Sequence, residues 1–264
     1  MSHAELRAAL ADDLDGLARL HDREIDPALI AALVAVGFPG NLALLPDAAT
    51  GQAMSAALAE IAAALPQGDS FQSQKNWRNA TFADGVSAAD ALAADYAGIY
   101  LNGACTASPY ESVWLTDEHL TCQLPMFELR ALYEKAGLTV DDWRKRYDDH
   151  FVLQFQYLAH CLRSETVSLE SIGRFLDEHV GHWFADFAKA VTQRGDTDFY
   201  RGLAVITADW LERCRSLIEE ITGEARTPRE RIAERLKKKM ALASGELAPI
   251  RFMPGGSPVA GPSW

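Results

Sequence analysis

Residues 147–162 read YDDHFVLQFQYLAHCL. Phe151, Phe155, Leu158 and Leu162 recur at a spacing of three or four, which lines them along one face of an α-helix. A half-buried strand would alternate instead. Asp148 or Asp149 is expected to cap this helix, since a carboxylate accepts the free N–H groups of the first turn and complements the helix dipole. The same dipole disfavours a charged imidazole at His150, so a neutral ring is expected there.

The pattern continues on both sides. Downstream, Ser168 opens a run with Ile172, Phe175, Leu176, Val180, Trp183, Phe184 and Phe187, and Gly181 is expected to split it. Asp198 starts a long run through Leu203, Ile206, Trp210 and Leu217, closed by Gly223. Thr227-Pro228-Arg229-Glu230 reads as a capping box. Upstream, Pro125 opens a helix that Gly137 closes, Ser87-x-x-Asp90 opens another, and Asp26-Pro27 is a cap followed by proline at the first helical position. Asn-Gly, the strongest hairpin signal, occurs once, at Asn102-Gly103. The fold class is all-α, with about ten helices in a two-lobed bundle.

The chain has 264 residues, 25 basic and 37 acidic, for a net charge of −12. Residues 1–223 carry 33 acids and 17 bases, whereas 224–264 carry 4 acids and 8 bases. Phosphate binding needs a basic stripe, so a nucleic-acid partner is not expected of this acidic body. The segment Pro27–Pro46 is 20 residues long and uncharged, but Gly37, Pro39, Gly40 and Asn41 interrupt it. A buried helix, a turn and a second short helix fit better than a membrane span. The first twenty residues are acidic and amphipathic, unlike a secretory signal, so a cytoplasmic protein is expected. Cys105, Cys122, Cys161 and Cys214 form no C-x-x-C pair and are expected as buried free thiols. Residues 66–86 and 137–148 read as connections, and 241–264 as a flexible Gly/Pro-rich tail.

No phosphate-binding loop, dinucleotide fingerprint, nucleophile elbow or Glu-x-x-His pair is present. No catalytic residue, metal site or cofactor is therefore assigned. His179 and His182 are expected as surface or partly buried histidines. Two patches remain. Ser108-Pro109-Tyr110-Glu111-Ser112-Val113-Trp114-Leu115 mixes aromatics, a carboxylate and hydroxyls, and Asp148-Asp149-His150-Phe151 begins the helix described first. Each has a structural reading beside a functional one: Trp114 as core, Asp149 as a cap.

The runs YESVWLTDEHLTCQLPMFELRALYEKAGL, YDDHFVLQFQYLAHCL, FLDEHVGHWFADFAKAV and DFYRGLAVITADWL resemble, in this order, the TorD/DmsD family of cytoplasmic chaperones that mature molybdenum-containing redox enzymes. The likeness covers roughly residues 88–215. It implies a helical fold without a catalytic site: a larger N-terminal lobe over 1–137, a hinge over 138–148, and a smaller lobe over 149–240. It also implies binding of the twin-arginine leader of an apo-molybdoenzyme, which is held back from export until its cofactor is inserted. Contacts with cofactor-biosynthesis proteins, weak GTP binding, and a monomer or lobe-swapped dimer belong to the same implication. Tyr110, Glu111, Ser112, Trp114 and Leu115 stand in the family's first motif. Asp148, Asp149, His150 and Phe151 stand in the second, where the family's usual Pro-Glu-Asp-His is replaced by Tyr-Asp-Asp-His. Asp95 and Tyr96 match a further position, read as mainly structural.

Chemistry supports that reading. A leader with a basic start and an apolar middle needs carboxylates beside an apolar groove. Glu111, Asp148 and Asp149 are the expected arginine partners, and Trp114 the expected groove wall. Two other readings remain at this point: assembly of a non-exported molybdoenzyme, as by the nitrate reductase relative NarJ, and a nucleotide hydrolase.

Overall fold

The computed structural model describes residues 2–65, 81, 85, 87–102, 107–116, 119–142 and 144–243. The expected connection at 66–86 and tail at 241–264 lie almost wholly outside them, as does Cys105. Among the described residues there are eleven α-helices and no strand, only two isolated bridges. The helices are α1 (His3–Asp22), α2 (Pro27–Ala35), α3 (Ala48–Ala64), α4 (Ala88–Tyr96), α5 (Glu111–Leu115), α6 (Leu124–Lys135), α7 (Phe151–Arg163), α8 (Leu169–Glu178), α9 (Val180–Arg194), α10 (Asp198–Thr222) and α11 (Arg229–Ala243). A π-helical turn, Ala97–Leu101, prolongs α4.

Residues Met1–Thr227 form one compact unit, and Pro228–Trp264 form a second. Within the first, α1 lies along α7, α9 packs on α10 and α8, and α10 also meets α3. One continuous core holds Leu10, Leu14 and Leu17 of α1 together with Phe151, Phe155, Phe184 and Phe187. Residues on both sides of 138–148 thus share it in this conformation.

Most of the punctuation stands as read. Asp26 caps α2 through the Leu29 N–H, Ser87 caps α4 through the Asp90 N–H, and Ser168 caps α8. Gly137 and Gly223 end α6 and α10 at φ +75° and +73°, where a side chain would be strained. Three details differ. Gly37, at φ +70°, ends α2. Val36–Leu44 then runs as turns and bends, so the second short helix does not form. The run after Ser168 breaks at His179 (φ −123°, ψ −121°), two residues before the expected glycine. Gly181 still makes the break possible, because a Cβ there would lie 2.4 Å from the Leu176 carbonyl oxygen. At Thr227 the N–H bonds Asp177 at 2.9 Å rather than the side chain of Glu230. Cys161 and Cys214 are buried free thiols as expected, whereas Cys122 is half-buried at φ 59°.

Asp95 and Tyr96 fit the structural role. Asp95 accepts the N–H groups of Asp196 and Thr197 and the Thr197 hydroxyl, and so anchors the start of α10. The Tyr96 hydroxyl donates to the Asp22 carbonyl at 2.8 Å.

At the centre of the aromatic core sits His21, its Nδ1 2.6 Å from the Tyr100 hydroxyl and its Nε2 2.9 Å from the Thr207 hydroxyl. Burial pushes its imidazole down to about 3. An unfolded histidine titrates near about 6.5. Between those values the unfolded chain binds a proton that the folded chain refuses, so this contribution to stability is complete above about pH 6.5 and shrinks as pH falls, by about 1.4 kcal/mol per pH unit. Urea unfolding between about pH 7 and pH 5 is expected to show a falling midpoint, less steep in His21→Gln. Glycine gives a second check. Gly181→Ala is expected to cost about 1–3 kcal/mol. Gly16→Ala, in α1 with nothing within 4 Å of its Cβ position, is expected to stabilise by about 0.5–1 kcal/mol in the same assay.

Candidate functional site

The two patches meet through their backbones. Tyr110 and His150 form an isolated antiparallel bridge. The Glu111 N–H donates to the Asp149 carbonyl at 3.1 Å, and the Phe151 N–H to the Pro109 carbonyl at 3.0 Å. Short α5 has no side-chain cap of its own. Asp149 supplies one from across the bridge: its Oδ2 accepts the Ser112 N–H at 2.9 Å.

This corrects the expected cap. Neither Asp148 nor Asp149 caps α7; His150 does, its Nδ1 accepting the Val152 N–H at 3.2 Å. The bridge turns Asp149 toward its neighbour in space rather than its neighbour in sequence. Accepting at Nδ1 requires a neutral ring that carries its proton on Nε2. Burial holds the His150 imidazole well below the usual histidine range, with Arg146 and His21 adding to the shift. The ring is neutral as expected, but burial rather than the dipole is the leading cause.

Glu111 is also turned inward. Its Oε1 accepts from His179 Nδ1 at 2.9 Å, and its Oε2 from the Trp183 indole N–H at 3.4 Å. Trp183 stacks on Trp114, with ring centres 6.0 Å apart and planes 17° apart. The Trp114 N–H donates to the Ser108 carbonyl at 2.8 Å. Asp148 is held by Arg130, whose Nε and Nη2 donate to Oδ2 at 3.2 and 2.8 Å. The Tyr133 hydroxyl donates to the Asp148 carbonyl. The Ser112 hydroxyl accepts the Gln123 N–H at 3.3 Å.

The nine expected site residues therefore fall into two sets. Glu111, Ser112, Asp148, Asp149, His150 and Phe151 are buried, whereas Tyr110, Trp114 and Leu115 are half-buried. Asp149 is 0% exposed, and neither its Oδ1 nor Gln154 Oε1 has a hydrogen-bond partner among the described residues. Burial raises the Asp149 carboxyl above the usual range; the bonds from Ser112 oppose this and the Glu111 charge adds to it.

In front of this framework lies a groove of about 510 Å³, walled by Tyr100, Leu101, Pro109, Tyr110, Val113 and Trp114. His119, Ser108 and Thr121 form its polar edge. Leu101 is 70% exposed beside it. Among the described residues no group of three or more His, Cys, Asp or Glu side chains is placed to hold a metal ion. The arrangement is an apolar wall fixed by a buried polar framework.

His179, expected at the surface or partly buried, is instead buried against Glu111, and Trp183 joins it there. Their spacing of four puts both on one face of the α8–α9 run, and that is the only signal the sequence held. Asp149→Ala removes the α5 cap and is expected to cost about 1–2 kcal/mol and to change Trp114 emission. Asp149→Asn keeps an acceptor and is expected to cost less than about 1 kcal/mol. Urea unfolding followed by tryptophan fluorescence checks both.

A family profile described as "Nitrate reductase delta subunit" matches residues 47–189, which takes in both motifs. The chain is 32% identical to the chaperone protein TorD of Shewanella loihica over 126 residues, which is 46% of this chain and 59% of that protein. It is 26% identical to the chaperone protein TorD of Vibrio cholerae over 143 residues (50% and 64%), and 30% identical to that of Shewanella piezotolerans over 144 residues (51% and 64%). The chain thus spans about three fifths of the length of these curated relatives. With more than half of its residues inside the family match and both motif segments joined in space, the chain belongs to the nitrate reductase delta subunit family, the family of the TorD chaperones that its motifs resemble.

Proposed function

We propose that this protein is a maturation chaperone for a molybdoenzyme. It binds the twin-arginine leader of the apo-enzyme in the cytoplasm and keeps it from export until the cofactor is in place. The observation that carries this reading is the aromatic groove of Tyr110 and Trp114 in a protein of net charge −12. An acidic body attracts the basic start of a leader, and an apolar groove receives its helix-prone middle. On this reading Tyr110 and Trp114, which wall the groove, touch the peptide, and Leu115, packed against the core outside the groove lining, supports them. Glu111, Ser112, Asp148, Asp149, His150 and Phe151 position them from behind. No described helix is long and apolar enough to cross a membrane.

The family description favours a second client within the same role, a non-exported enzyme assembled as nitrate reductase is. Residues on both sides of 138–148 share one core, so a hinge there between lobes 1–137 and 149–240, and exchange of lobes to give a dimer, would require that core to open.

Calorimetry against a panel of twin-arginine leaders tests the leading reading. One-to-one binding is expected, weakened by salt and by about tenfold in Trp114→Ala. No binding to any leader, with the chaperone folded, contradicts it. Co-purification with a leaderless molybdoenzyme would select the second client.

A further inference from the structure

The leader reading needs a place for guanidinium groups, and the three carboxylates of the motifs do not offer one. Glu111, Asp148 and Asp149 are buried, and Glu111 and Asp148 are engaged by His179, Trp183 and Arg130. A ligand arginine reaching any of them would have to strip a buried group of its partners or open the core.

A different carboxylate already holds a guanidinium. Arg146, in the basic run Arg144-Lys145-Arg146 of the hinge segment, is paired through Nη1 with Asp22 Oδ1 at the end of α1. This pair is not buried: the side chains are 33% and 38% exposed. It lies among tyrosines. Tyr96 donates to the Asp22 carbonyl, and Tyr147, next to Arg146 in sequence, packs on Tyr110 with ring centres 5.6 Å apart. Burial raises the Tyr96 and Tyr110 phenols, and the Arg146 charge opposes the rise at both. Glu24, exposed, adds its negative field at Tyr96. A carboxylate flanked by aromatic rings is how a guanidinium is recognised.

This place adjoins the groove. Tyr96 and Tyr100 are one turn apart with ring centres 4.7 Å apart, and Tyr100 and Tyr110 both wall the groove. Tyr96 and Tyr100 are 6% and 7% exposed, so this connection runs through buried rings.

Resting on the leader-binding reading, we propose that Asp22 is the carboxylate that receives a leader arginine, and that Arg146 is a built-in surrogate which occupies the place until the leader displaces it. Arg146 reaches Asp22 through one nitrogen and one oxygen, whereas a leader arginine can pair with both oxygens, so the exchange favours the leader modestly. Burial of the leader's apolar run in the groove then drives binding. Release of Arg146 would unpin the 138–148 segment from α1, which couples peptide capture to the hinge.

The test uses the full chain, a synthetic leader with consecutive arginines ahead of an apolar run, and the same peptide with lysines in their place. Urea unfolding first shows that each variant is folded. Asp22→Asn is expected to weaken the arginine peptide about fivefold and the lysine peptide much less. Arg146→Gln is expected to tighten the arginine peptide about threefold in the wild-type background and not at all in Asp22→Asn. Asp12→Asn, the same charge change at the exposed partner of Arg163, is expected to leave affinity within about twofold. A leader-free arm titrates N-acetyl-arginine amide into Arg146→Ala, following the Tyr96 and Tyr110 ring signals by NMR. Saturable shifts that vanish in the Asp22→Asn/Arg146→Ala double variant support the place itself. Wild-type binding of the leader with no effect of Asp22→Asn or Arg146→Gln overturns the inference while leaving the chaperone reading standing. Absence of leader binding by every folded variant overturns both.

Discussion

The Asp149 carboxylate bound to the Ser112 N–H, with the two backbone bonds that flank it, is the contact on which the site depends. It joins segments 37 residues apart in sequence and fixes the start of a five-residue helix too short to hold itself. Without that cap, α5 has no side-chain bond at its N-terminus, and Trp114, at its far end, keeps only its bond to the Ser108 carbonyl and its stacking on Trp183. From the same place Glu111 reaches the other way, to His179 and Trp183, and ties α5 to the break between α8 and α9. One side of the motif thus fixes the groove wall to α7, and the other fixes it to α9.

This arrangement divides the motif residues by task. The charged ones face inward, where low dielectric makes each bond strong and each missing partner costly. Tyr110 and Trp114 face the groove, whereas Phe151 sits in the core. The overall negative charge belongs to the surface and acts at a distance, where it would steer a basic ligand, whereas the buried acids act only on their neighbours. The Asp22–Arg146 pair belongs to neither class: it is half-exposed, and it lies in neither motif.

Much of the fold was legible because helix punctuation is local. Asp26-Pro27, Ser87, Ser168, Gly137 and Gly223 each act within one turn of chain, and each stands where its sequence placed it. The errors lie where tertiary contact overrode local rules. Asp149 reads as a cap for α7 from sequence alone, because its partner Ser112 lies far back in the chain. The break near Gly181 falls at His179, because the glycine is needed for close approach to Leu176 rather than for its own dihedral. The site residues were legible as a set, through two motifs in order, but not their burial. A pattern of residue types carries no sign that a carboxylate faces a histidine and an indole rather than a ligand. Asp22 and Arg146 are ordinary charges in sequence, and only the folded chain brings them to the tyrosines.

The central claim is that the half-buried aromatic face of the first motif, held by the second, is where peptide docks. Photo-crosslinking tests it most directly, with a leader peptide carrying a photoreactive group in its apolar run and mass spectrometry of the adducts. The account predicts attachment to residues between Tyr100 and Trp114. Attachment of a bound peptide elsewhere on the chain, with that segment unlabelled, would contradict it.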